Sequence, residues 1–201
     1  ARVVVGGSTH PGEEVTLLGA AEKLRERFGD LRAVVVPRHT NRVGKLVPEI
    51  EAEGWKVRLR SKMGAGGALM RESQAADEVL VVDTMGELGD VYKTADAVFV
   101  GGSLIPHGGQ NMMEPAALGL PVLYGPHTAN FTETVALLEK AGGARTVADA
   151  SELESALGEL LGNPEKRRAM GEAGRDAILG AQGATERNVA LLKMLVAAPR
   201  G

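Results

Sequence analysis

The sequence predicts an α/β fold: a Rossmann-like parallel sheet with helices on both faces and a helical carboxyl-terminal tail. Three observations predict it. Short β-branched runs recur through most of the chain, segments with helical spacing lie between most of them, and after Thr146 the pattern is all helix. Strands that are apolar on both faces and alternate with helices belong to a parallel sheet covered on both sides. The strand runs are residues 3–5, 33–36, 56–59, 79–82, 98–100 and 122–124. Leu17, Leu18, Ala21, Leu24 and Phe28 mark one helical stripe, and Val43, Leu46, Val47 and Ile50 mark another. The stretch from Ser61 to Ala76 is Gly-rich and aperiodic, and reads as a loop or a frayed helix. Residues 151–154 and Asn163-Pro164 read as helix starts, the second because Pro suits the first helical position. A final helix is expected from about Gln182 to Val196.

The chain has 201 residues, enough for one large domain with a buried core. We expect a single domain over residues 1–201 with its helical tail from about residue 151. A net charge of −3 argues against a general nucleic-acid surface. Without cysteine there are no disulfides and no thiolate chemistry, which fits a reducing compartment. No apolar run approaches a membrane span and no signal-peptide pattern opens the chain. It begins at Ala1 and enters a strand at once, as an excised soluble domain would.

Sheets of this kind bind ligands at the carboxyl ends of their strands. His10, His39, His107 and His127 all fall in loops that follow a strand run, together with Ser8, Thr9, Arg38, Asn111 and Glu114. Singly, each His is explained as a solvated loop residue. Together they favour a polar site on one edge. A metal centre is a poor alternative, because no His/Asp/Glu pair has ligand spacing.

Four loops carry the chemistry. "GGSTHPGEE" (6–14) reads equally as a phosphate cradle or as a glycine turn with a hydroxyl N-cap, and it lacks both standard glycine-loop spacings. "VPRHTNR" (36–42) puts the Arg38 guanidinium just beyond a strand, where it can grip phosphate or carboxylate or form a surface ion pair. In "VVDTMGEL" (81–88), Thr84 and Glu87 have capping-box spacing. The same helix start would aim the N–H groups of Met85, Gly86 and Glu87 at the sheet edge. In "GGSLIPHGGQNMMEP" (101–115), Pro115 lacks an N–H and must lie in a first helical turn, so the helix starts between Asn111 and Glu114. Free N–H groups around 109–112 then suit phosphate, and the Glu114 carboxylate beside them suits ribose hydroxyls. Asn111 and Glu114 also have capping-box spacing, but capping does not explain the glycines, so ligand binding is favoured.

With "STHPGEE", "PRH", "DTMGEL" and the run 101–126 in this order, the chain resembles the 3-deoxy-D-manno-octulosonic acid (Kdo) transferases. The resemblance covers nearly all of it and matches the carboxyl-terminal, donor-binding half of a GT-B glycosyltransferase. It implies a domain that binds CMP-Kdo, in an enzyme that transfers Kdo to lipid A precursor with inversion and needs neither metal nor cofactor. Pro37, Arg38, Met85, Gly86, Glu87, Asn111, Met112, Met113 and Glu114 would contact CMP, and Ser8, Thr9 and His10 would face the Kdo sugar. Gln110 departs from the family's usual His, and Met112-Met113 from a Pro-Leu type pair. The resemblance further implies that the general base and membrane attachment lie in an amino-terminal acceptor domain, outside this chain. This leaves no catalytic residue here, and puts the full-length protein on the cytoplasmic face of the bacterial inner membrane. A UDP-sugar enzyme of the same fold (an N-acetylglucosaminyltransferase or 2-epimerase) and a catalytically silent nucleotide-binding module remain as alternatives.

Overall fold

Among the described residues seven parallel strands form one sheet: β1 (Arg2–Thr9), β2 (Leu31–Pro37), β3 (Lys56–Leu59), β4 (Glu78–Val81), β5 (Ala97–Val100), β6 (Val122–Tyr124) and β7 (Ala144–Thr146). The computed structural model describes residues 1–64, 75 and 77–197. The spatial order is β3-β4-β2-β1-β5-β6-β7. The chain lays β2, β3 and β4 on one side of β1, with β4 between β2 and β3, then crosses over to lay β5 on the other. The crevice at the carboxyl ends of β1 and β5 is therefore the topological switch point, where such sheets take ligands.

The helices are α1 (Glu13–Arg25), α2 (Val43–Ala52), α3 (Leu88–Tyr92), α4 (Met113–Ala117), α5 (Thr132–Ala141), α6 (Ala150–Gly162) and α7 (Pro164–Ala197). Adjacent strand residues point to opposite faces, and both faces are apolar. Val4, Ala33 and Phe99 pack with Leu17 and Leu18 of α1, Leu46 of α2 and Leu157 of α6. Val3, Val5 and Val98 pack with Tyr92 of α3, Ala116 of α4, Leu138 of α5 and Ile178 of α7. Each such Val or Leu contributes about 1.5–3 kcal/mol through burial, so the sheet is anchored from both sides. This rigid frame leaves the strand ends free to carry polar loops.

The fold departs from the sequence reading in three places. β7 is a seventh strand, paired to β6 alone. Residues 164–197 form one helix, where a break before Gln182 is expected. Gly171 does not interrupt it, because its missing Cβ lets α7 lie against the backbone at Gly119. Most of the stretch 61–76 lies outside the described residues, and its opening residues belong to a 3-10 turn, Arg60–Lys62.

The third departure is the start of α6. The N-cap is Asp149, whose Oδ1 accepts from the N–H groups of Ser151 (2.9 Å) and Glu152 (3.0 Å). Glu152 reaches back to the Ala148 N–H at 2.8 Å. We expect Asp149→Ala to cost about 1 kcal/mol in thermal unfolding, as loss of a cap does. Ser151→Ala should stay within about 0.5 kcal/mol, as a surface change does. Equal losses would return the cap to Ser151.

Candidate functional site

The four sequence-marked loops all lie on the carboxyl edge of the sheet. At the end of β1 the ladder to β2 shifts register between Gly7 and Thr9, and Ser8 there has φ of 52°. A non-Gly residue in the left-handed region costs about 1–3 kcal/mol and persists only where its surroundings hold it. Gly101, directly after β5, approaches so closely that a Cβ would lie 2.5 Å from the Thr9 Cα. The loops after β1 and β5 are thus in backbone contact over the switch point.

Glu13 joins them. It is the first residue of α1, is 1% exposed, and was not among the residues marked from sequence. Its Oε2 accepts from the N–H groups of His10 (2.9 Å) and Gly102 (2.7 Å). Its Oε1 accepts from Ser103 (2.9 Å) and Leu104 (3.0 Å). The hydroxyl N-cap read for 6–14 does not form: Gly12 is the N-cap without a side-chain cap bond, and the Glu13 carboxylate instead fills the N–H concavity after β5. Beside it, Glu14 forms a buried ion pair with Arg42, which also donates to the Thr9 carbonyl at 3.3 Å.

Three of the four histidines converge. The His10 ring centroid is 4.0 Å from that of His107 and 5.9 Å from that of His39. Burial lowers the His10 pKa below the ordinary imidazole value, His107 adds to this, and Glu13 opposes it. The ring is therefore neutral at neutral pH. Gln110 brings its side-chain amide nitrogen within 3.2 Å of His10 Nε2; an N–H donated there leaves the ring proton on Nδ1. His127 takes no part in the ring contacts; its backbone N–H donates to Ser103 at 2.9 Å. Among the described residues no three His, Asp or Glu side chains are placed to hold a metal ion.

Arg38 follows β2, its backbone N–H donating to the Thr9 carbonyl at 2.9 Å. Its side chain is exposed and has no ion-pair partner among the described residues, so the surface ion-pair reading is not what forms. Pro37, one residue earlier, is buried and registers with Thr9 across the ladder.

The loop 82–87 corrects a second expectation. Its capping box does not form: α3 begins at Leu88, and its N-cap, Glu87, makes no side-chain cap bond. Instead Thr84 donates its hydroxyl proton to the Glu87 carboxylate, which also pairs with Arg60 at 2.8 Å. A neighbouring cation has claimed the acid that the box needed. Gly86 has φ of 83°, a conformation suited to glycine, and a Cβ there would meet nothing. Met85 beside it is 79% exposed.

The start of α4 fits the sequence reading. Met112 is the N-cap and is fully buried; the Asn111 Oδ1 accepts from the Met113 N–H at 3.0 Å. Glu114 does not close the box, and its carboxylate has no hydrogen-bond partner among the described residues. It lines an open groove of about 430 Å³ with Gly86, Gly89, Lys93 and Leu118. Glu114 Oε1 lies 3.0 Å from where a Cβ on Gly89 would sit, so the carboxylate stands directly over that glycine. Burial, with the Glu114 charge adding to it, pushes the pKa of the Tyr92 phenol up. The backbone N–H groups of Gln110, Asn111 and Met112 have no acceptor among the described residues, while Gly109 N–H is tied to the Gly102 carbonyl at 2.7 Å. Among the described residues, the edge thus combines unpaired N–H donors, an unpaired guanidinium, a neutral imidazole and an unpaired carboxylate. Anion binding and hydroxyl binding lie side by side.

No protein-family model matches the chain. It is 35% identical over 190 residues to the 3-deoxy-D-manno-octulosonic acid transferase of Haemophilus influenzae, a match covering 94% of this chain and 43% of that one. The transferase of Bordetella pertussis is 35% identical over 195 residues, with 95% and 44% covered. The chain therefore spans less than half the length of these curated relatives. It superposes with a TM-score of 0.78 and 28% identity on the crystal structure of the C-terminal CMP-Kdo binding domain of WaaA from Acinetobacter baumannii, covering 88% of this chain and 89% of that one. A trehalose 6-phosphate synthase from Burkholderia multivorans, 16% identical, shares the fold at a TM-score of 0.55 over the whole of this chain and 45% of its own. With matched sequence along nearly its full length and the same domain fold, the chain belongs to the 3-deoxy-D-manno-octulosonic acid transferase family, as the counterpart of its carboxyl-terminal domain.

Proposed function

We propose that this chain binds the donor CMP-Kdo for an inverting, metal-independent glycosyltransferase that adds Kdo to lipid A precursor. The observation that carries it is the start of α4, where three N–H donors at 110–112 adjoin the Glu114 carboxylate, all without a hydrogen-bond partner among the described residues. Backbone donors and Arg38 take the phosphate, and Glu114 accepts from the ribose hydroxyls. The loop 85–87 flanks the base, and Ser8, Thr9 and His10 face the Kdo sugar.

In the reaction the acceptor hydroxyl oxygen bonds to the anomeric carbon of Kdo as the bond from that carbon to the CMP phosphate oxygen breaks. CMP leaves with the electron pair, and its growing charge is met by donors already in place. The acceptor proton goes to a general base on a second, amino-terminal domain, which also binds the lipid. That domain carries the attachment to the cytoplasmic face of the inner membrane. Among the described residues of this chain, no helix is long and apolar enough to cross a membrane.

Calorimetric titration of the 201-residue chain tests the reading. CMP and CMP-Kdo should bind, and UMP should bind at least about tenfold more weakly, a difference of 1.4 kcal/mol. The chain alone should transfer no Kdo. Equal affinity for UMP would overturn the donor assignment in favour of a UDP-sugar.

A further inference from the structure

We propose that Glu13 is a positioning residue for the donor: an internal anion that ties the loops after β1 and β5 into one wall and so sets where the phosphate-binding N–H groups stand. This rests on the donor-binding reading above.

A run of backbone N–H groups around a concavity ordinarily collects an external anion. Here Gly102, Ser103 and Leu104 form such a concavity, and the Glu13 carboxylate occupies it, taking the His10 N–H as well. Both oxygens are used twice, and the side chain is 1% exposed. The bound phosphate must therefore lie further along the loop. The path to that place runs through the clasp. Gly102, held by Glu13 through its N–H, accepts from Gly109 at 2.7 Å through its carbonyl, and the unpaired donors at 110–112 follow directly. Ser103, held in the same way, accepts from His127 N–H at 2.9 Å, and its hydroxyl accepts from Gly125 N–H at 2.8 Å. On the other side, Glu13 fixes His10, whose ring meets Gln110 at 3.2 Å. One carboxylate thus orients both the sugar-facing and the phosphate-facing parts of the edge without touching the ligand.

The chemistry makes a specific demand. Only a carboxylate offers acceptors in all four directions. A Gln of the same shape turns an NH₂ group towards two N–H donors, so it breaks the clasp without leaving a void. An Ala leaves a small cavity lined by N–H groups, which a free carboxylate can refill.

The test is CMP calorimetry on the wild-type chain, Glu13→Gln and Glu13→Ala, the last with and without added formate. Glu13→Gln should bind CMP about tenfold or more weakly, the loss of one charge-assisted hydrogen bond at least. Formate should restore most of the affinity of Glu13→Ala, and chloride at matched ionic strength should not. Amide exchange at Gly102, Ser103 and Leu104 should accelerate in both variants and slow again with formate. Wild-type affinity in Glu13→Gln would overturn the proposal while leaving the donor reading intact. Failure of formate to restore binding in a folded Glu13→Ala would overturn it too. If Glu13→Ala does not fold, Glu13→Gln decides alone. A wild-type chain that binds no CMP would overturn the donor reading itself, and the exchange rates of Glu13→Gln would still judge the clasp.

Discussion

Exchange of Glu114 for Gln is expected to weaken CMP about ten- to a hundredfold, the loss of charge-assisted hydrogen bonds worth roughly 1.5–3 kcal/mol. The melting temperature should stay within a few degrees. Both expectations follow from the position of the carboxylate. Glu114 lines the groove beside Gly86 and Gly89 and makes no internal hydrogen bond among the described residues. A cap would have shown a bond back to the Asn111 N–H. Instead the Asn111 side chain, one residue before the N-cap Met112, accepts from the Met113 N–H. Glu114→Ala sharpens the contrast. If Glu114 were a cap partner, the Ala variant would lose about 1 kcal/mol of stability and little affinity. If it holds the ribose, stability stays and affinity falls in both variants. CMP calorimetry and a melting curve on each variant distinguish the two. Unchanged CMP affinity in Glu114→Gln would remove the ribose role.

The sheet was legible because its chemistry is local. Six strand-like runs, five of them apolar on both faces, have few other structures open to them, and each became a strand. β7 was not legible: it has three residues, carries Arg145 at its centre, and is exposed at two of them. Only its pairing with β6 makes it a strand. The length of α7 was obscured for a related reason. Gly171, a poor helix former by propensity, serves close packing against Gly119.

The site divides along the same line. Loop residues at strand ends could be marked because the fold class says where such ends gather. Glu13 could not. An acid in the first turn of a helix is ordinary complementation of the helix dipole. Three of its four partners lie 89 to 91 residues away in sequence. The Thr84–Glu87 spacing misled for the opposite reason, since Arg60, reaching over from the turn after β3, takes the acid. Spacing reports which bonds a segment can form. Tertiary neighbours decide which of them it does form.

Arg38→Ala is expected to weaken CMP by about tenfold or more and to leave cytidine binding nearly unchanged. A guanidinium paired with phosphate makes charge-assisted bonds worth roughly 1.5–3 kcal/mol, and the nucleoside has no phosphate to lose. Arg38 is suited to that role because it is exposed and unpaired among the described residues, while its backbone is pinned to Thr9 at 2.9 Å. β2 is two strands from β5 in the sheet order. At about 4.8 Å per strand, the Arg38 backbone stands roughly 10 Å from the loop after β5, and its long side chain covers much of that gap. Stability should not move, since no side-chain hydrogen bond or ion pair among the described residues is lost. Salt provides a second readout. Contacts between an exposed cation and a phosphate are screened, so raising the ionic strength should weaken CMP more in the wild-type chain than in Arg38→Ala. Calorimetry with CMP and cytidine at two salt concentrations measures both effects. Equal losses for CMP and cytidine would place Arg38 against the base or ribose. The phosphate would then rest on the backbone donors at 110–112 alone.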